Sequence, residues 1–278
     1  MSSEAIAFVV HRRNRKAWEY ADRMRTAFEA ADLRVFLPQR GESSDSCRMV
    51  ITFGGDGTLL AGAASAISYR CPLLGINLGT MGFLTESDPE QSERIVNAVL
   101  SRTYTIEQRD LLQVRCGDEA ENYLALNDAV VTRGGFARLI QVETRINQEH
   151  WGTFIADGMI AATPTGSTGY SLSAGGPVIA PGVSCMAVTP VCPHSMQHCP
   201  CIVPRNAEIT FILSAEREQQ AQLQIDGRNV RTLKAGDQVH ITGAAEAVSL
   251  VRIGEYRFFK VLQTKLTEWS CSGEEKRQ

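Results

Sequence analysis

A chain of 278 residues with 44% hydrophobic and 21% charged side chains has the composition of an ordinary globular protein, with room for one large or two medium domains. Its net charge of −3 and pI near 6.0 argue against the basic face of a nucleic-acid binder, and no apolar run reaches the roughly 18 residues of a membrane span. Eight cysteines spread through a long chain, several in apolar segments, and a short apolar stretch at 5–10 that precedes its basic cluster point to reduced thiols and a cytoplasmic protein, with neither nucleic acid nor membrane as a partner.

The first third alternates strand and helix. Ala5–Val10 reads as a buried-type strand, and Lys16–Ala31 places Trp18, Ala21, Met24, Phe28 and Ala31 at helical spacing before Leu33–Leu37 extends again. The basic residues Arg12, Arg13, Arg15 and Lys16 read as a solvated helix start in preference to a phosphate contact. Met49–Phe53 and Leu73–Asn77 are further strands. Asp88-Pro89 opens a helix that runs to about Leu100 with Ile95, Val96, Val99 and Leu100 facing inward. The product is a parallel sheet with right-handed crossovers.

Between the strand 49–53 and the alanine-rich segment Leu59–Ile67 stands Gly54-Gly55-Asp56-Gly57-Thr58. Glycines at a strand–turn–helix junction admit a ligand close to the peptide N–H groups, and a helix starting at Thr58 adds its positive end, so Gly54, Gly55, Gly57 and Thr58 form a candidate phosphate cradle. A site meant only to attract phosphate has no use for a carboxylate among its amide donors. Asp56 is therefore the candidate catalytic group.

From about Thr103 the pattern turns β-rich: Tyr104–Arg115, Tyr123–Thr132, Leu139–Ile146, Trp151–Ala156, then Glu208–Leu213, Ala221–Ile225, Gln238–Thr242 and Val248–Ile253. Tyr256–Leu266 regains helical spacing at Phe259, Leu262 and Leu266 and is expected to return to the first domain; Ser270–Gln278 is a polar tail. The expected division is an α/β domain over 1–102, a β-rich domain over 103–255 and a returning segment over 256–278. Residues 163–177 combine hydroxyls and glycines that can line a nucleotide, with Tyr170 offering a flat face to a ring. Cys192, His194, His198, Cys199 and Cys201 carry atoms suited to zinc, but they form no Cys-x-x-Cys pair and two prolines interrupt them, so a crossing loop is expected and no metal site. A P-loop and a Gly-x-Gly-x-x-Gly fingerprint are both absent from the sequence.

Taken together and in order, Gly54-Gly-Asp-Gly-Thr58, Gly75-Ile-Asn-Leu-Gly-Thr-Met-Gly-Phe-Leu84, Leu126-Asn-Asp-Ala-Val130, Ala156-Asp-Gly158, the 163–177 segment and Pro193-His-Ser-Met196 resemble the NAD kinase family over most of the chain. The first motif alone is shared with lipid kinases of the diacylglycerol type. The resemblance implies an α/β N-terminal domain with a parallel sheet, an all-β sandwich-like C-terminal domain and an active site in the cleft between them. It also implies a homo-oligomer, dimer or tetramer, and transfer of the γ-phosphoryl of ATP to the 2′-hydroxyl of the adenosine ribose of NAD. Mg2+ or another divalent cation is expected to arrive with ATP, and no prosthetic group is implied. The sequence departs from the family pattern at Asp128, where Glu is frequent, at Gly169, where Ala is common, and over Gln197–Cys201, where an arginine is missing.

On this resemblance Asp56 accepts the ribose proton. Asn127 and Asp128 meet hydroxyls or a base edge, the alternative being an Asn-Asp turn at a strand end. Asp157 joins the nucleotide site, from its own or a neighbouring subunit, and Thr168, Gly169, Tyr170, Ser171, Leu172 and Ser173 wrap the dinucleotide. Phe83 lies either against the adenine ring or in the core. Arg138 and Arg228 either meet a diphosphate or the new 2′-phosphate, or are exposed surface arginines. The alternative activities are a lipid kinase of the diacylglycerol type and a non-catalytic NADP(H)-sensing protein.

Overall fold

The computed structural model describes residues 4–38, 46–79, 82–87, 92–117, 122–135, 138–194, 199–216 and 219–271. The chain divides into two compact units, Met1–Gln108 with Val248–Gln278, and Arg109–Ala247. The boundaries read from sequence, 102/103 and 255/256, differ from these because two long strands, introduced below as β6 and β17, each begin in one unit and end in the other.

The first unit contains β1 (Ala5–Val10), α1 (Arg15–Glu29), β2 (Arg34–Phe36), β3 (Cys47–Phe53), α2 (Asp56–Tyr69), β4 (Leu73–Asn77), β5 (Glu86–Ser87) and α3 (Ser92–Ser101). Its strands pair in parallel in the order β2-β1-β3-β4. Parallel strands covered on both faces are apolar throughout, and β4 is buried at every position. The core joins Ile6 and Phe8 to Met49, Ile51 and Phe53, with Tyr20, Met24 and Phe28 from α1 and Val99 from α3. The Phe8 and Phe53 rings meet edge-on at 4.7 Å.

Helix α1 is capped by the Asn14 side chain, which accepts from Ala17 N, and it buries Ala17, Tyr20, Ala21, Met24 and Phe28. The expected stripe needs correction: Trp18 is only half-buried and Ala31 lies exposed beyond the helix, because the inward face is rotated toward Tyr20. Helix α2 starts at Asp56, not at Thr58, which puts the carboxylate in the first turn, where a negative charge suits the helix dipole. Asp88 and Pro89 lie outside the described residues. The helix after them buries Ile95, Val96, Ala98 and Val99.

The second unit is antiparallel. It takes most of β6 (Thr105–Cys116), then β7 (Asn122–Ala125), β8 (Asp128–Thr132), β9 (Ile140–Ile146), β10 (Glu149–Ala156), β11 (Gly158–Ala162), a 3-10 turn (Gly166–Thr168) and α4 (Tyr170–Ser173). There follow β12 (Cys185–Val191), β13 (Cys201–Pro204), β14 (Ile209–Leu213), β15 (Gln220–Ile225), β16 (Arg228–Lys234) and the first part of β17 (Gln238–Arg252). One sheet has the order β13-β12-β11-β8-β15-β16, and a second runs β10-β9-β14-β17. Met159, Ala161 and Leu223 from the first sheet share a core with Val142, Phe154, Phe211 and Ile241 from the second, so the unit is a sandwich.

The run expected over 123–132 breaks into β7 and β8 at Leu126–Asn127, while the two runs expected over 238–253 are one strand. In the first unit the end of β17 pairs in parallel with β4, Leu250 opposite Leu73, and is followed by α5 (Phe258–Cys271). Helix α5 extends past the expected end at Leu266. It buries Val261 and leaves Phe259 70% exposed and Leu266 44% exposed, one residue out of phase with the face read from sequence. Cys47, Cys71, Cys116 and Cys185 are buried free thiols.

Phe53 is fully buried against Phe8 and Tyr20 and immediately precedes the glycine turn. Phe53→Ala is expected to lower unfolding free energy by about 3–5 kcal/mol in urea titrations; a loss below about 1 kcal/mol would contradict this packing.

Candidate active site

In the first unit β1 has β2 on one side and β3 on the other, and the crevice beyond the carboxyl ends of β1 and β3 is where open α/β sheets of this winding bind ligands. The glycine turn begins there. His11, just past β1, donates its N–H to Phe53 O at 3.0 Å, and Gly54 N donates to Ile76 O at 2.9 Å. Gly54 has φ +153°, and a Cβ on it would overlap Thr58 Oγ1. Gly55 and Gly57 are exposed and border open space, so the start of α2 is accessible.

The half-buried Asp56 carboxylate is held from a segment 27 residues away. Phe83 N donates to Oδ2 at 3.0 Å, Leu84 N to Oδ1 at 3.2 Å and Thr85 Oγ1 to Oδ1 at 3.3 Å. A Cβ at Gly82 would overlap this carboxylate, so the approach requires glycine there. The carbonyls of the same segment are held in turn. Tyr256 Oη donates to Phe83 O at 2.8 Å, and the buried Arg252 donates to Leu84 O at 3.1 Å while pairing with Glu107 at 3.0 Å and lying over the Tyr256 ring. Phe83 is half-buried and packs its ring against Phe258.

In the second unit the break between β7 and β8 carries Asn127 and Asp128. A carboxylate absent from the sequence candidates organises it: Asp226 accepts from Leu126 N at 3.0 Å, Asn127 N at 2.7 Å and Asp128 N at 3.2 Å. Asp226 sits at φ +48° before Gly227 at +74°, the two-residue turn of the β15–β16 hairpin. The only sequence signal was the Asp-Gly turn. Asp128 is 6% exposed, and burial, with the adjacent Asp226 charge as a second cause, pushes its carboxyl up to about 7. Burial also raises Asp226, against the lowering effect of its three backbone donors and of Arg228.

The 163–177 segment is much more buried than a hydroxyl-rich loop suggests, and several of its hydroxyls build the loop itself. Thr163 Oγ1 donates to Leu126 O at 2.6 Å and accepts from Gly166 N; Ser167 Oγ donates to Pro164 O and accepts from Ile179 N; Thr168 Oγ1 donates to Thr165 O; Ser171 Oγ pairs with Thr189 Oγ1 at 2.9 Å. Arg109, which the sequence did not single out, is buried and donates to Thr165 Oγ1. A Cβ on Gly166 would overlap the Asn127 backbone, so the loop packs directly on the Asn127 corner. Gly169 and Leu172 are half-buried, and Ser173 is exposed. Tyr170 is 43% exposed, and its hydroxyl is raised first by burial and then by the charges of Cys192, Asp157 and Asp128.

Asp157 pairs with Arg133 at the end of β8, and its carbonyl accepts from Arg133 N and Thr132 Oγ1. Arg228 is exposed and its charge acts on Asp226; Arg138 is exposed ahead of β9 and is not joined to these residues. Cys192 and Cys199 are exposed and Cys201 is half-buried in β13, whereas His198 lies outside the described residues. Among the described residues no three His, Cys, Asp or Glu side chains gather as a metal site.

Both units match known kinase domains. Residues 14–104 match the ATP-NAD kinase N-terminal domain, and residues 126–253 match the ATP-NAD kinase C-terminal domain. The NAD kinase of Geobacter sulfurreducens is 39% identical over 221 residues, 78% of each chain, and that of Desulforamulus reducens is 36% identical over 262 residues, 91% of this chain and 90% of its own. Among solved structures, an Archaeoglobus fulgidus NAD kinase in complex with ATP aligns with a TM-score of 0.72 at 26% identity, covering 95% of this chain and 98% of that one. Yeast NADH kinase complexed with NADH shares the fold, with a TM-score of 0.84 at 24% identity over 95% of this chain and 88% of that one. The chain belongs to the NAD kinase family and is an enzyme, a kinase. These relatives lend no support to the lipid-kinase or sensing alternatives.

The Asp128 carboxyl gives a pH signature. Its folded value of about 7 lies above the ordinary 3.8, so folding takes up a proton between them: the stability from the protonated form is complete below about pH 4 and is lost as pH rises through about 7. The full effect is at most about 4 kcal/mol. Asp128→Asn removes it, so the variant's stability is expected to gain on wild type from pH 4.5 to about 7 and to level off above that in urea titrations; parallel curves would show that Asp128 is not the titrating group.

Proposed function

We propose that this enzyme transfers the γ-phosphoryl of ATP to the 2′-hydroxyl of the adenosine ribose of NAD, giving NADP. The observation that carries the chemistry is the Asp56 carboxylate, oriented by two backbone N–H groups and one hydroxyl at the open start of α2. Those three donors occupy three of roughly four lone-pair positions of a carboxylate. Among the described residues, Oδ2 keeps one position for an incoming hydroxyl, and a carboxylate fixed in this way takes the ribose proton without reorienting.

Phosphoryl transfer proceeds through a loose transition state, so most of the protein's contribution is positioning and charge neutralisation. The exposed Gly55 and Gly57, at the start of a helix whose N-cap glycine supplies no capping side chain, suit an anionic phosphate. Mg2+ enters as part of the nucleotide substrate. Asn127 and Asp128 suit the hydroxyls or base edge of the dinucleotide, and the exposed ring of Tyr170 suits stacking. In this reading the loop hydroxyls of Thr163, Ser167, Thr168 and Ser171 shape the site and leave Ser173 and backbone groups to meet the ligand. Arg228 and Asp157 act as charged groups at its margin. On family grounds the working protein is a cytoplasmic homo-oligomer, dimer or tetramer, which light scattering coupled to size exclusion would measure. No helix among the described residues is long and apolar enough to cross a membrane.

Wild-type protein incubated with NAD, ATP and Mg2+ is expected to form NADP in an assay specific for that product. Asp56→Asn is expected to lower kcat by about 10²–10⁴-fold with NAD affinity changed little. Near-normal turnover in this variant would exclude Asp56 as the proton acceptor.

A further inference from the structure

Asp226 does more than close a hairpin. The β8–β15 pairing is already held by its ladder, from Gln222 opposite Thr132 to Ile225 opposite Ala129, and Asp226 N continues it by donating to Asp128 O at 3.0 Å. The three N–H groups that the Asp226 carboxylate receives lie beyond that ladder, on the break where the chain leaves β7 and enters β8. Three successive amides converging on one carboxylate fix the backbone of 126–128, and with it the directions in which the Asn127 and Asp128 side chains leave it. Asn127 Oδ1 is buried there with no hydrogen-bond partner among the described residues, an acceptor held ready for a donor.

We propose that Asp226 is a positioning residue for the dinucleotide substrate: its carboxylate sets the 126–128 backbone so that the Asn127 amide and the Asp128 carboxyl are presented together to hydroxyl or amine donors of NAD. This rests on the kinase reading above and adds a residue to it. Asp226 acts through the backbone and touches no reacting atom. It also acts through charge, since its carboxylate is the charged neighbour that helps raise Asp128. The other groups acting electrostatically here are Arg228 from β16, on Asp226, and Tyr170 from α4, which feels Asp128.

The test is NAD binding by calorimetry, without ATP, on wild type and Asp226→Asn from pH 5.5 to 8.5, together with KM for both substrates and thermal melts. Asparagine keeps the size but turns an amide N–H2 toward one of the three backbone donors. The expected result is a Kd for NAD raised about tenfold, with KM for ATP within about twofold and the melt little changed. The pH at which NAD affinity titrates should move to the acid side, because Asp128 loses a neighbouring charge; a purely structural role would not move it. Unchanged NAD affinity with an unmoved titration overturns the proposal, as does an equal loss of affinity for both substrates in a destabilised protein. Should Asp226→Asn not fold, Asp226→Glu keeps the charge and displaces the acceptors by one methylene: weaker NAD binding at an unmoved titration supports the proposal, and wild-type binding overturns it. Wild-type protein that binds NAD but forms no NADP would overturn the kinase reading alone, since the binding comparison does not depend on turnover.

Discussion

The structure depends on carboxylates that collect backbone N–H groups from a distant stretch of chain. Asp56 does this to residues 83 and 84, with the Thr85 hydroxyl added, and Asp226 to residues 126–128. A hydrogen bond to a charged acceptor is worth about 1.5–3 kcal/mol and is shorter and more directional than a neutral one, so two or three from one carboxylate leave a loop little freedom. Each clasp works in both directions. The carboxylate acquires an orientation, and the irregular segment acquires a conformation that neither helix nor strand would impose on it.

Around the Asp56 clasp the supports continue outward. The segment that donates N–H groups to Asp56 offers its carbonyls to Tyr256 and Arg252, and Arg252 is tied to Glu107, so a buried guanidinium with an ion-pair partner stands behind the carboxylate. The 163–177 loop reaches the same end with neutral groups. Its hydroxyls close on Leu126, Pro164, Thr165 and Thr189, and the loop is ordered before any ligand arrives. Ordering completed during folding is ordering that substrate binding does not have to supply.

The α/β part was legible because parallel strands are uniformly apolar and the glycine turn falls at a strand end, both local properties of the sequence. The β-rich runs from about Thr103 marked the second unit, and the family motifs added its sandwich. What stayed hidden was set by partners far away in sequence. Asp226 read as an ordinary Asp-Gly turn because the amides it binds are about 100 residues earlier. The hydroxyls at 163–171 read as ligand donors because their internal acceptors are invisible in a linear string. β12 was missed because Pro190 interrupts an apolar run that the structure buries completely, and β16 because its alternation carries polar residues on nearly every position. The phase of α5 slipped by one residue at Phe258-Phe259, where two adjacent aromatic residues give periodicity nothing to choose between.

The strand β17 has a consequence for how the molecule is made. Its first part belongs to the sandwich and its end lies parallel to β4, Leu250 opposite Leu73, so the first unit is written in two pieces with the whole second unit between them. A chain emerging from its N-terminus lays down β1 to β4 early, yet the stretch of β4 around Leu73 stays without this neighbour until some 175 residues more have been added. Closing so long a loop is slow, and an apolar strand edge is exposed in the interval. Completion of the unit that holds Asp56 is therefore tied to the synthesis of the unit that follows it, and a truncated chain would present an open sheet edge where the finished protein has none.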